Sequence, residues 1–379
     1  MPKPNAIVST VIDLDPPLDR PVEELLRAEG GLWVELEGAR RLHLDPGDSR
    51  SGGFAQVLDG LRRQRLPVYV EFDPDTSAVM GVRVPHLSPV LGIRRVDRGV
   101  FDVVLATSHA RHLLREGSEE FESLRERLDE AVRTRRPVIL VEDDAHEIID
   151  VRLAPPGFEE PGPPFPEKPP RLRWPWRWIG DLRKFLLRLW WWHWWPWWWF
   201  RCLSASRAQQ VFDDMQATSC APLTVPAPCI PFMYPDDGCW GRASEMCRLM
   251  QLQGLKPRKV WIQGWLNVAT RNNPTCSVSW GWHVAPTLCV RGPGLFQRRQ
   301  MVIDPSLFTT PVSKPQWKAV QGDPMATLTD TDASVFHLFY PPHATDPSYS
   351  LTNGVLATYR LALQNRSVNQ GPPPYANCP

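Results

Sequence analysis

The first 201 residues contain no cysteine; all eight lie at or after Cys202. Disulfides are thereby excluded from the first half and allowed in the second, and the two halves read as having met different redox environments. Excess charge is missing too. The chain carries 43 Lys and Arg against 42 Asp and Glu, which removes the electrostatic reason to expect nucleic acid. Residues 1–16 have no apolar core of signal-peptide type, so no cleavable leader is expected. The apolar run 185–200 is short for a membrane span and is broken by Arg188, His193 and Pro196. No Cys/His cluster with metal-ligand spacing stands out, so neither metal nor other cofactor is expected.

What is present divides the chain in three. Residues 1–155 read as an α+β domain built from a twofold internal repeat with a period near 70 residues. Pro67-Val68-Tyr69-Val70-Glu71-Phe72 corresponds to Pro137-Val138-Ile139-Leu140-Val141-Glu142, and Arg41-Leu42-His43-Leu44 to Arg111-His112-Leu113-Leu114. Helical runs at 54–65 and 121–133 precede the two Pro-Val strands. This domain shows no catalytic constellation and reads as regulatory or binding. His109 and His112 read as a loop or helix edge, and Asp143, Asp144 and His146 as a hairpin turn. Residues 156–201 begin as a proline-rich, extended linker. They then hold eleven of the eighteen tryptophans between Arg171 and Arg201, interleaved with arginine. Tryptophan favours the headgroup layer and arginine meets anionic lipid there, so 171–201 is expected to lie on a membrane surface. A crossing at this point would place the cysteine-rich half outside. The bland alternative is a Trp-rich segment packed on protein. Residues 202–379 are the right size for one catalytic domain.

That domain is organised around Asp237-Gly238-Cys239-Trp240-Gly241-Arg242-Ala243. Ala243, Met246, Cys247 and Met250 give a helical stripe behind Cys239. The free N–H groups and dipole at a helix start favour a thiolate, the form that attacks a carbonyl carbon. Downstream, Trp280-Gly281-Trp282-His283-Val284-Ala285 alternates as a strand. Trp280, Trp282 and Val284 are expected on one face and His283 on the other. A second strand, Met301-Val302-Ile303, ends at Asp304, where Pro305 stops the ladder. Cys239, His283 and Asp304 thus supply a nucleophile, a base and a group to orient the base. Residue spacing alone leaves this open beside plain core cysteine, core histidine and Asp-Pro turn.

From Tyr234 to about Trp317 the chain resembles the protein-glutaminase (protein-glutamine deamidase) family. The carriers are the Cys239 motif, Trp282-His283-Val284-Ala285, and Met301-Val302-Ile303-Asp304-Pro305-Ser306-Leu307-Phe308 with Trp317. The resemblance implies a papain/transglutaminase-like cysteine-hydrolase core, with Cys239 as nucleophile, His283 as base and Asp304 as orienting acid. The implied reaction is hydrolysis of a protein-bound glutamine carboxamide to glutamate, with ammonia leaving as a thioester intermediate forms and water then cleaving the thioester. The partner would be a protein with an exposed glutamine. Trp240 and Trp282 are candidates to wall the substrate slot, or simply core. The resemblance also makes inhibition by the N-terminal half an expectation. A transglutaminase or papain-like cysteine protease would use the same three residues. A membrane-associated binding protein or effector with a degenerate catalytic fold is the non-enzyme rival. Outside the cell, Cys220–Cys229 and Cys276–Cys289 are the expected disulfides, with one cysteine left over and Cys247 in the core.

Overall fold

A computed structural model describes residues 5–28, 30–155, 202–292, 294 and 297–379. The Pro-rich and Trp/Arg-rich stretch, with its membrane assignment, lies outside the described residues. Among the described residues no helix is long and apolar enough to cross a membrane.

The N-terminal half runs β1 (Asn5–Asp15), α1 (Val22–Ala28), β2 (Leu32–Leu36), β3 (Arg40–Leu44), α2 (Ser51–Gln64), β4 (Pro67–Phe72), β5 (Val79–Arg83), β6 (His86–Ser88), β7 (Val90–Asp97), β8 (Val100–Leu105), β9 (His112–Arg115), α3 (Phe121–Thr134), β10 (Val138–Glu142) and β11 (Ile148–Leu153). Helix α2 forms because Phe54, Val57, Leu58 and Leu61 recur at helical spacing, and all four are buried against a sheet ordered β3-β2-β1-β4-β5. It ends at Arg65 in the left-handed conformation, φ 54°, followed by the Pro67 strand. Helix α3 buries Leu124, Leu128 and Ala131 and ends the same way at Arg135, φ 58°, ahead of β10. Around it lie two three-stranded sheets, β11-β10-β6 and β7-β8-β9.

The C-terminal half runs α4 (Ala205–Gln216), α5 (Cys239–Leu252), β12 (Arg258–Ala269), β13 (Ser277–Arg291), β14 (Arg298–Val302), β15 (Val312–Ser313), α6 (Lys314–Ala319), β16 (Thr327–Asp332), β17 (Val335–Phe339), β18 (Pro342–Thr345) and α7 (Ser350–Gln370). Its sheet is antiparallel in the order β15-β14-β13-β12-β16. Strand β13 is buried on both faces from Trp282 to Leu288, so it reads as a nearly continuous apolar run. Three disulfides close this half: Cys202–Cys289, Cys220–Cys229 and Cys276–Cys378. The expected Cys276–Cys289 bridge does not form. The two residues sit at opposite ends of β13, and at ~3.3 Å per residue a strand holds them far beyond disulfide reach. Cys289 instead meets Cys202, whose neighbour Leu203 donates its N–H to the Cys289 carbonyl at 2.9 Å. Cys239 and Cys247 are the free cysteines, both buried.

The halves pack on one another. A β-carbon at Gly53 would stand 2.3 Å from Val368, and one at Gly60 2.5 Å from Leu361, so the small residues of α2 give α7 a close seat. Gln364 donates to Gln56 at 2.7 Å, and Asn369 to the Val82 carbonyl at 3.1 Å.

Candidate active site

Cys239 is the first residue of α5. Gly238 before it has φ +78°, and a β-carbon there would stand 2.3 Å from the Tyr359 ring. Only glycine meets both demands. The loop is fixed by buried Arg242, which donates to the carbonyls of Tyr234 and Asp237. A β-carbon at Gly241 would come within 2.6 Å of Val355, so this turn of α5 lies directly on α7.

On β13, His283 is buried and its Nε2 lies 2.9 Å from Oδ2 of Asp304. Asp304 follows Val302, the last residue of β14, by two positions, and the Trp317 indole N–H donates to the same Oδ2 at 2.9 Å. Burial opposes ionisation of Asp304, but its neighbour His283 and the hydrogen bonds from His283 and Trp317 hold its pKa below the usual carboxylate value. With Nε2 engaged, His283 Nδ1 has no hydrogen-bond partner among the described residues. Sγ of Cys239 and a ring nitrogen of His283 fall within 4.8 Å of each other. Cys239, His283 and Asp304 are therefore brought together.

The expected aromatic face of β13 splits. Trp282 and Val284 join Trp240, Trp261 and Tyr359, whereas Trp280 joins the core of Ala285, Val302 and Trp317. Trp280 stacks on the His283 ring with centroids 4.5 Å apart, and Trp317 stacks on that ring at 5.5 Å. The twist of β13, beside the irregular pairing between Gln263 and Leu266 of β12, breaks the strict alternation.

One residue of this site was missed in the sequence. His109, read there as a loop or helix edge, is buried against the C-terminal half: its Nδ1 lies 3.0 Å from Cys239 Sγ and 3.2 Å from Asp237 Oδ1. The segment carrying it adds to β13 on the side that β14 has left. Ala110 bridges Trp280 antiparallel, Gly281 N–H donates to the His109 carbonyl at 2.9 Å, and Arg111 N–H donates to the Ser279 carbonyl at 3.0 Å. The His109 N–H is taken by Asp237 Oδ1 at 3.1 Å. Trp240, Trp280 and Trp282 surround the ring at 5.2 to 6.0 Å. The signal available in the sequence was only the nearness of His109 to His112, two histidines three apart behind a strand.

The electrostatics of this arrangement differ from the expected helix-start thiolate. Burial pushes the Cys239 thiol well above its ordinary range, and neither Arg242 nor the Val284 backbone hydrogen bond offsets it. Burial, with His283 and Arg242 nearby, pushes His109 well below the usual histidine value, so its ring is neutral.

A second cluster joins the halves behind the site. Glu142 receives His112 at 2.6 Å, His146 at 2.7 Å and His86 at 3.0 Å. His146 also lies 3.4 Å from Asp236, and His86 3.9 Å from Asp237. Arg366 of α7 pairs with Asp236 through two nitrogens and with Asp144 at 2.8 Å. Asp143, Asp144 and His146 do form the turn expected of them, between β10 and β11. Burial opposes the Asp236 charge, yet Arg366 and His146 hold its pKa far below the carboxylate range. Arg366→Met should therefore leave a buried carboxylate without its partner and cost about 3–5 kcal/mol, read by denaturant unfolding. A loss under about 1 kcal/mol would mean that the pair is not the anchor described.

Among the described residues, two groups of ligand-type side chains lie close enough to hold a metal: His109, Cys239 and His283, and His86, His112 and Glu142. Neither was visible as sequence spacing, because each draws on strands distant in the chain.

Among curated proteins, none matches the chain. Among solved structures, pro-protein-glutaminase is 21% identical, over 78% of this chain and 99% of that one, with a TM-score of 0.49. A mutant of pro-protein-glutaminase is 22% identical, over 73% and 91%, with a TM-score of 0.47. Protein-glutaminase from Chryseobacterium proteolyticum is 27% identical, over 47% and 97%, with a TM-score of 0.38. The stretch that carries Cys239, His283, Asp304 and Trp317 falls within residues 208–321, which match the model of a family described as glutaminase.

Proposed function

We propose that residues 202–379 are a catalytic domain that deamidates glutamine side chains of proteins, and that residues 1–155 hold it latent. The carrying observation is the hydrogen-bonded His283–Asp304 pair: Nδ1 of His283 has no hydrogen-bond partner among the described residues, and a ring nitrogen of His283 stands within 4.8 Å of Cys239 Sγ at the start of a helix. In the open enzyme His283 takes the thiol proton, and Cys239 attacks the carboxamide carbon. His283 then returns the proton to the leaving ammonia and activates water to cleave the thioester to glutamate. Asp304, steadied by Trp317, keeps His283 in the tautomer that accepts at Nδ1. The N–H of Cys239 is one oxyanion donor. Trp240 and Trp282, which flank the His109 ring, would flank a glutamine side chain reaching the same point. No cofactor enters these steps. The same geometry serves an amine acceptor or a backbone amide, and the glutaminase family match favours water and glutamine over both.

Latency is supported by His109, which fills the place of a substrate side chain beside Cys239. The N-terminal half is read as a twofold repeat, on the common order of two strands, a helix ending in a left-handed arginine, and two more strands. Its second copy supplies His109. The linker and Trp/Arg-rich stretch 156–201 would carry the enzyme to a membrane surface.

The test is ammonia release from a glutamine-rich unfolded protein, with the intact mass of the substrate read in parallel. Full chain and residues 202–379 are compared. A gain of about one dalton per event, without chain cleavage, is the expected result. No ammonia from either form would sink the general deamidase.

Latency should also depend on pH. Burial disfavours charge on His86 and His146, but Glu142, with Asp237 facing His86 and Asp236 facing His146, raises both above the ordinary histidine value. A raised folded value means the stabilisation is complete below the unfolded value of about 6.5 and is lost as pH climbs through the folded values. Above that window Glu142, Asp236 and Asp237 face neutral rings, and Arg366 still pairs with Asp236. The ratio of full-chain activity to that of residues 202–379 should therefore rise at alkaline pH. A ratio flat across the range would count against the histidine cluster as the hold.

A further inference from the structure

We propose that His109, Cys239 and His283 form a zinc site that bridges the two halves of the latent chain. One ligand atom from each lies within 4.8 Å of the others, and all three residues are buried. Thiolate with two imidazoles is the donor set of a borderline-soft divalent ion, and zinc accepts it in tetrahedral geometry with one position left for water. Ligand distances of roughly 2.3 Å for sulfur and 2.0 Å for nitrogen place such ligands about 3.3–3.6 Å apart. The 3.0 Å between Cys239 Sγ and His109 Nδ1 is within a small adjustment of that.

Two observations point to an ion beyond mere proximity. His283 Nδ1 is buried with no hydrogen-bond partner among the described residues, and a buried polar nitrogen without one calls for an explanation. The outer shell is also built. His283 gives its other nitrogen to Asp304 at 2.9 Å, and Trp317 holds the same carboxylate oxygen, the carboxylate–histidine support typical of zinc ligands. His109 is locked at its backbone by Asp237 and Gly281. The other candidate group lacks these signs. Both nitrogens of His112 are engaged, by Glu142 at 2.6 Å and Ser108 at 2.8 Å, and His86 Nε2 is taken by Glu142 at 3.0 Å.

Binding would exchange the thiol proton for the metal: Cys–SH and M²⁺ give the Cys–S–M unit and one released H⁺, with both imidazoles neutral and no change of oxidation state. The ion would then cover the nucleophile and its base while fastening the N-terminal half to both. The site stands on these atoms whatever reaction Cys239 performs; only its inhibitory consequence rests on the reading above.

The test uses the full chain, stripped with a chelator and titrated with Co²⁺ and then Zn²⁺. Expected are one equivalent per chain, a thiolate-to-cobalt charge-transfer band with tetrahedral ligand-field absorption, and bleaching by Zn²⁺. Cys239→Ser should lose the band. His109→Ala and, as a milder change, His109→Gln should weaken binding at least about 10-fold, while His86→Ala leaves the band intact. Circular dichroism would confirm that each variant is folded. No band in the unaltered chain, or equal binding in folded Cys239→Ser and His109→Gln, overturns the site. Cobalt ligand-field absorption without a thiolate band, lost in His86→Ala but kept in Cys239→Ser, assigns the metal to the other cluster and overturns it too. A thiolate band in a chain that never releases ammonia would keep the metal site and remove the deamidase.

Discussion

Cys239→Ala will bring ammonia release from protein-bound glutamine down to background, a fall of roughly 10⁴-fold or more from the open enzyme. The size follows from the proposed role. Without the sulfur there is no thioester, and His283 has nothing to deprotonate, so the residues that act as a unit fail together. His283→Ala should fall nearly as far, and the double variant little further. Asp304→Asn should lose less, roughly 10²- to 10⁴-fold, because it removes the orienting charge and leaves the nucleophile and base in place. Cys239 is small and buried, and Ala243 on the next turn shows that alanine suits this helix, so the variant should stay folded. Full activity in Cys239→Ala, with folding checked by circular dichroism, would remove Cys239 from the chemistry.

Freeing the C-terminal half will raise activity above that of the intact chain by roughly 10²- to 10³-fold. That is the gain expected if the closed form is favoured by about 3–4 kcal/mol. His109→Gly in the intact chain should give a smaller rise. It empties the space beside Cys239, but the backbone pairing of Ala110 and Arg111 with β13, the α2–α7 seat and the Arg366–Asp144 contact all remain. The comparison is made as kcat/KM on one unfolded substrate. Equal values for the intact chain and residues 202–379 would end the latency reading. Opening should also relieve the burial that now raises the Cys239 thiol, so the freed half should reach full rate at a lower pH than the intact chain.

The residues of the site divide by how far their signals extend along the chain. Cys239 was legible because its signal is local: a Gly-Cys pair that opens a helix, with an apolar helical stripe behind it. His283 and Asp304 were legible because two short strands carry them in order. Trp317 closes the stretch that resembles protein-glutaminases, but its bond to Asp304 depends on how α6 folds under β14. His109 was not legible. Nothing around it marks a strand that leaves its own sheet to pair with residues some 170 positions on, as Arg111 does with Ser279. The helices of the N-terminal half followed from periodicity, whereas the layout of its strands in three sheets did not, because strand partners are chosen by packing across the core. The same limit produced the wrong cysteine pair. Cys276 and Cys289 are near in sequence and remote in space once the residues between them are extended, and Cys378 comes back to Cys276 only through the turn after α7. The buried thiol, pushed above its ordinary range, had no sequence signal either, because burial depends on packing between segments distant in the chain.

The three disulfides all begin and end within the C-terminal half, and the first 201 residues offer no thiol to any of them. The peptide between Pro155 and Cys202 is thus the only covalent tie between His109 and Cys239. While it is intact, the N-terminal half is a tethered ligand at a high effective concentration, and dilution does not loosen it. One cut there makes the association bimolecular. Activity of the nicked protein would then depend on its own concentration, rising toward the freed value as the sample is diluted through the dissociation constant. A step that needs one hydrolysed bond and no reduction can be completed where the disulfides are stable.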